Sequence, residues 1–237
     1  MCADIFTDKH SGKRFLNKMD NETGVYMAQH GIFEYPLINW CKEFAKPGKA
    51  FIDIGAHIGT YSIILGEHFD TVYSFEAQRD TYMCLCGSII LNDSGKNIKP
   101  FNYAIGDSDN VEMTLHHVSP DGGGSTLNSE IAVNERSTNG NYTDQETIIC
   151  RTLDSFELED IGFIKIDVEG HEEKVLRGAI STLERCGWPP IIFECWSEHE
   201  KPWFKESKES LFNLLTDDLK YNVNPINGYN NMFLATK

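Results

Sequence analysis

From Ala50 onward the chain alternates short β-branched and aromatic runs with longer helical patterns, and few folds other than βαβ units around a parallel sheet satisfy that alternation. AFIDI (50–54), TVYSF (71–75) and KPFNYAI (99–105) read as strands, separated by helical patterns over 59–68 and 79–91. VEMTLHHV (111–118) alternates as an antiparallel strand that ETIICRT (146–152) can pair with. FIKIDV (163–168), a helix over 171–185 and PIIFEC (190–195) resume the parallel sheet. Strands near 221–224 and 232–235, joined through PINGYN, predict a closing hairpin, because Asn-Gly favours a tight turn. Ahead of this, residues 1–49 carry a weaker helical pattern that ends at Lys46-Pro47-Gly48 and read as a helical N-terminal cap on one compact domain, 50–237. The Gly-, Ser- and Asn-rich stretch 119–144 is longer than ordinary connections, which leaves a substrate-side lid or a floppy insertion.

Charge and cysteine usage narrow the function classes. Acids outnumber bases 36 to 21, a formal charge of −15, and no basic cluster interrupts the surplus, which argues against a nucleic-acid partner. No apolar run approaches the length of a membrane span and no signal-peptide pattern opens the chain, so a soluble, cytoplasmic protein without a membrane partner is expected. The 7 cysteines are odd in number and scattered, unlike a disulfide framework, and Cys84 and Cys86 lack a second pair to complete a zinc site.

The chemistry starts where the first strand ends. Phe51-Ile-Asp53-Ile-Gly55-Ala-His57-Ile-Gly59-Thr60-Tyr61 places glycines in a strand-to-helix turn, where a missing Cβ lets the backbone approach a ligand. Glu76 ends the second strand at about the 20-residue offset from which an acid grips ribose hydroxyls. Asp53 discriminates the ligand: a carboxylate there repels a pyrophosphate and suits a cationic amino group, such as the one on the methionine end of S-adenosylmethionine. The Gly55-to-Gly59 spacing also departs from the dinucleotide pattern.

Asp53-Ile-Gly-Ala-His-Ile-Gly-Thr-Tyr-Ser, Ser74-Phe-Glu-Ala, Ala104-Ile-Gly-Asp, Thr152-Leu-Asp and Ile164-Lys-Ile-Asp-Val-Glu-Gly-His-Glu together resemble the FkbM-type methyltransferase family, across roughly 26–233. The resemblance implies a class I, Rossmann-like fold: a mostly parallel seven-stranded sheet with an antiparallel C-terminal strand. It implies S-adenosylmethionine as cofactor, with Asp53, Gly55, Gly59 and Tyr61 bordering the methionine part together with His57 and Thr60. Glu76 and Ala77 fall at the ribose, and Ala104, Ile105, Gly106 and Asp107 at the adenine. His57 stands where Asn is commoner in the family, and Ala77 where Pro usually follows the acid. Tyr26, Gln29, His30 and Glu34 resemble a segment that leans over the cofactor, although an amphipathic helix face explains them equally well.

A second constellation lies at the later strand ends. Asp167, Glu169 and His171 follow one strand and Glu194 ends the next, on the carboxyl edge where open α/β sheets bind ligands. Asp167 and Glu194 together suit a divalent cation such as Mg2+, which acidifies and orients a substrate hydroxyl. Without a metal, Asp167 can hold the cofactor's amino group or a sugar hydroxyl directly. His171 is the first candidate for general base and His199 the second, since imidazole titrates near neutrality. Trp196 and Trp203 flank His199 and offer faces to a sugar ring or to packing. The expectation is an O-methyltransferase acting on a hydroxyl of a sugar or glycan. The alternatives are a methyltransferase of a small phenol or amine, and a non-catalytic cofactor-binding module that partners glycosyltransferases.

Overall fold

The structure, a computed structural model, describes residues 3–18, 22–119, 122–138, 143–196 and 201–237. It opens with a hairpin, β1 (Ala3–Thr7) and β2 (Arg14–Lys18), paired antiparallel with Phe6 opposite Phe15. The cap helices α1 (Glu22–His30) and α2 (Tyr35–Cys41) follow. The hairpin was not among the expectations for this segment. Its strands hold together through burial of Phe15 and stacking of Phe6 on Phe15, ring centroids 5.6 Å apart, which a five-residue alternation alone does not reveal.

The domain proper runs β3 (Ala50–Ile54), α3 (Thr60–Leu65), β4 (Thr71–Phe75), α4 (Arg79–Leu91), β5 (Ile98–Phe101), β6 (Ala104–Ile105), β7 (Val111–His116), α5 (Ser129–Thr138) and β8 (Gln145–Arg151). It continues through β9 (Ile161–Ile166), α6 (Glu172–Arg177), α7 (Ile180–Arg185), β10 (Ile191–Glu194), α8 (Lys205–Asn213), β11 (Asn222–Pro225) and β12 (Met232–Thr236). Seven strands form one sheet in the order β11-β12-β10-β9-β3-β4-β5. Within it β12 runs antiparallel to both neighbours, as expected of the class I methyltransferase fold.

Side-chain parity explains why the central strands read as continuous apolar runs. Phe51, Phe163 and Ile192 enter one core with α3, α4 and the cap, whereas Ile52, Ile54, Ile164, Ile166 and Phe193 enter the other with α6, α7 and the C-terminal helices. Both sheet faces are therefore dry.

Three expectations are corrected. The strand expected over 99–105 is two strands in different sheets: β5 joins the main sheet, while β6 pairs with β8 in a three-stranded sheet ordered β6-β8-β7. The helix expected over 171–185 breaks into α6 and α7 at Gly178, where a Cβ would lie 1.8 Å from the Gly106 carbonyl oxygen, so the chain must turn where that backbone crosses. The 119–144 stretch holds a ten-residue helix, α5. Its preceding residues are bonded to the small sheet through the His116–Thr126 bridge.

Candidate functional site

The turn after β3 is built by its neighbours. Phe75 at the end of β4 accepts from the backbone N–H of both Gly55 and Ala56, at 2.9 Å each, and Lys165 donates to the Gly55 carbonyl at 2.8 Å. Gly55 has φ +78°, and a Cβ there would fall 1.8 Å from the Asp167 carbonyl oxygen. No side chain fits between the two strand ends. Beyond it His57, a non-glycine residue, is held at φ 50°. Glu76 answers this turn: its Oε2 accepts from the His57 N–H at 2.9 Å and its Oε1 from the Gln78 N–H at 2.8 Å. Burial raises the Glu76 pKa, while His57 and those two amides oppose the rise.

These elements surround a cavity of about 310 Å3 at the carboxyl edge of the sheet. It brings together Glu34, Gly55, His57, Thr60, Tyr61, Glu76, Ala77, Ala104, Ile105, Asp167, Glu169, His171 and Glu194 from the sequence-predicted residues, and adds Tyr103 and Lys165. The loop Gly122–Ser125 forms part of the cavity wall. Ser125 donates to Gln78 at 3.1 Å and Thr126 donates to the Glu169 carbonyl at 2.7 Å. Farther along, Glu135 of α5 accepts from Trp203 at 2.8 Å and pairs with Lys201 at 3.1 Å.

Four of the cofactor residues expected from sequence do not line the cavity, and each has a physical reason. Asp53 shares the sheet face of Phe51, and is wholly buried with Oδ2 accepting from Ser62 at 2.6 Å and Oδ1 3.7 Å from the Lys165 ammonium. Gly59 caps α3 at φ +93°, where Leu85 packs. Gly106 leaves room for Cys150 and His171, and Asp107 is spent on an ion pair with Lys174 at 2.9 Å.

The acid end of the cavity is unusual for its charge. Asp167, Glu169 and Glu194 each place a carboxylate oxygen within 4.8 Å of the others. Lys165 offsets part of this, 3.1 Å from Asp167 and over the Tyr61 ring at 5.3 Å. A lysine inside an otherwise apolar strand was the sequence signal for it. Glu169 is held at φ 51° with Oε2 buried and without a partner among the described residues. Burial and the Asp167 charge push Glu169 up to about 8 and lift Glu194 well above the usual carboxylate value. Glu34, on the cap side, is raised by burial and by Asp167, against the hydrogen bond that Tyr61 donates at 2.8 Å.

The histidines fare differently from expectation. His171 lines the cavity but packs against Gly106, and burial lowers its pKa to about 4, so it stays neutral and is a weak proton acceptor. His199 lies outside the described residues. Trp203 is committed to Glu135 and the Trp196 ring is covered by Lys201 at 3.8 Å, so both tryptophans pack rather than face the cavity.

Among the described residues no helix is long and apolar enough to cross a membrane. No curated protein matches this sequence. By fold the chain is similar to the methyltransferase FkbM from Methylobacillus flagellatus KT, with TM-score 0.52 and 16% identity over 79% of this chain and 43% of that one. This chain thus spans less than half the length of that relative. It is also similar to a methyltransferase from Streptococcus mutans solved in complex with SAH, with TM-score 0.50 and 13% identity over 86% of this chain and 97% of that one. These likenesses establish the class I methyltransferase fold. The match that speaks to descent covers the glycine turn, Glu76 and the strand-end acids together: the family model described as Methyltransferase FkbM domain spans residues 53–220, and the chain belongs to that family of methyltransferases.

Proposed function

We propose that this chain is an S-adenosylmethionine-dependent O-methyltransferase that moves a methyl group to a hydroxyl of a sugar or glycan. Family membership implies the cofactor. The residues fit it: the glycine turn leaves backbone exposed beside Glu76, whose carboxylate is already oriented by two amides and keeps lone pairs for ribose hydroxyls. Ala104 and Ile105 supply an apolar edge for a base.

The observation that carries the acceptor reading is the convergence of Asp167, Glu169 and Glu194 in a cavity roofed by the Gly122–Ser125 loop. Carboxylates take hydroxyl protons as hydrogen bonds, and a polyhydroxylated ring presents several. An all-oxygen set also suits a hard divalent cation, and the partnerless buried Oε2 of Glu169 fits a ligand role. With a cation bound, Asp167, Glu169 and Glu194 would hold it, and it would acidify and orient the acceptor hydroxyl. Methyl transfer forms a carbon–oxygen bond as the sulfur–methyl bond breaks, leaving S-adenosylhomocysteine and releasing the hydroxyl proton. The chain's part is to align the acceptor and exclude water under the lid.

The test is transfer of labelled methyl from S-adenosylmethionine to panels of glycosides, phenols and amines, with magnesium or with EDTA. Label on a glycoside hydroxyl that falls with EDTA and in Glu194→Gln supports the reading; label on phenols or amines alone replaces it.

A further inference from the structure

The three carboxylates at the acid end of the cavity are not held alike. Asp167 is paired with Lys165 at 3.1 Å, whereas among the described residues no ion pair engages Glu169 or Glu194. Glu194 is held by a neutral group instead: the side-chain amide of Asn231 donates to its Oε1 at 2.5 Å. Asn231 stands in the turn between β11 and β12, one residue ahead of Met232, which faces Glu194 across the antiparallel pair. From sequence that turn is only a link between two strands; in the folded chain it reaches the ligand edge of the sheet.

We propose that Asn231 is a positioning residue that fixes the Glu194 carboxylate for a divalent cation bound with Asp167 and Glu169. The inference rests on the cation reading above and goes beyond it, because Asn231 lies past the residues 53–220 matched by the family model, on the C-terminal hairpin. The carboxylate oxygens of the three acids lie within 4.8 Å of one another, and like charges so close favour a side-chain rotation that carries Glu194 out of the cluster. The Asn231 amide opposes that rotation. It does so without a charge of its own, so it orients the carboxylate and leaves its negative charge for a cation, and one donor on Oε1 leaves Oε2 whole. The buried, partnerless Oε2 of Glu169 marks the same place as short of a ligand.

The amide is not needed to make the turn. The Asn231 carbonyl accepts from the Cys195 N–H at 2.6 Å, the Ile226 N–H donates to the Met232 carbonyl at 2.9 Å and the Tyr229 N–H to the Ile226 carbonyl at 3.1 Å. These are backbone bonds that survive any ordinary side chain at 231. The left-handed position in the turn is Gly228, at φ +89°, so no backbone strain calls for asparagine at 231 either. Ile226 and Tyr229 pack against the core that also contains the cap, which gives the amide a fixed mount.

The experiment is titration of the full chain with Mn2+, followed by the electron paramagnetic resonance of the free ion, for the wild type, Asn231→Ala, Glu194→Gln and the double variant. S-adenosylhomocysteine binding is measured by calorimetry on the same four proteins. Asn231→Ala should weaken Mn2+ binding about tenfold or more, the usual loss when the partner orienting a metal ligand is removed, with S-adenosylhomocysteine bound as in the wild type. In the Glu194→Gln background the same substitution should add no further loss, because the two residues act as one unit. Unchanged Mn2+ affinity in Asn231→Ala overturns the proposal. So does a full further loss in the double variant, which means that Asn231 does not act through Glu194, and so does joint loss of Mn2+ and S-adenosylhomocysteine binding, which marks a residue that only holds the hairpin. A wild type that binds no Mn2+ removes the cation reading itself, an outcome distinct from failure of the Asn231 assignment.

Discussion

Gly55 combines a backbone clash with a left-handed conformation, so its replacement is poorly tolerated. Gly55→Ala must place a methyl group 1.8 Å from the Asp167 carbonyl oxygen at φ +78°. The backbone conformation alone costs an alanine about 1–3 kcal/mol. The variant should melt roughly 5 °C or more below the wild type, at about 2–4 °C per kcal/mol for a chain of this size, and should lose S-adenosylhomocysteine binding. A melt within one degree of wild type and intact titration would count against the cradle. Asp8 sets a different kind of dependence. Burial pushes its pKa up, but Ser11 through its side chain and backbone, and the Ile32 amide, hold it below the ordinary carboxylate value. A depressed folded-state pKa contributes stability that is present above the unfolded value, near ~3.9, and is lost as pH falls through the lower folded one. The wild type's stability advantage over Asp8→Asn, read from melts between neutral and acid pH, should therefore shrink below about pH 4.

Elements divide into those that build the sheet and those that close the site. The β1–β2 hairpin belongs to the first kind, because Phe15 is fully buried in the same core as Ile38, Phe51 and Leu65. Phe15→Ala should cost about 3–5 kcal/mol in urea unfolding, whereas a hairpin that merely decorates the fold would lose less than about 1 kcal/mol. The Gly122–Ser125 loop, part of the cavity wall, is of the second kind. The Thr126 hydroxyl bonded to the Glu169 carbonyl ties the loop to the acid end of the cavity. Thr126→Val keeps the shape and removes that bond, so stability should fall by about 1 kcal/mol while stopped-flow release of S-adenosylhomocysteine accelerates several-fold. Unchanged release would separate the loop from the cofactor.

At the scale of the molecule, the excess of acids, 36 against 21 bases, acts on the whole fold. Self-repulsion destabilises a compact state of high net charge, and salt screens it with a Debye length of about 10 Å at 0.1 M. The melting temperature should rise when sodium chloride is increased well above that concentration. A fall would mean that ion pairs such as Arg151–Asp109, at 2.7 Å, outweigh the repulsion.

Sequence alone determined the architecture of the sheet and the location of its working edge. The runs 50–54 and 71–75 coincide with β3 and β4, because strands buried on both faces must be apolar throughout and stand out from amphipathic helices. The glycine turn, Glu76, Asp167 and Glu194 were legible for a related reason: a strand end followed by a tight turn leaves few conformations, and an acid there meets the ligand edge. What each polar side chain does there was decided by tertiary structure. Asp53 faces Ser62 because of strand parity and the docking of α3, Asp107 faces Lys174 because α6 passes beside it, and burial against Gly106 lowers the pKa of His171. Lys165 and Glu34 reach the cavity only when β9 lies in register against β3 and the cap packs against α3. Periodicity encodes which face a residue takes; the partner waiting there comes from another part of the chain, and local sequence carries no record of it.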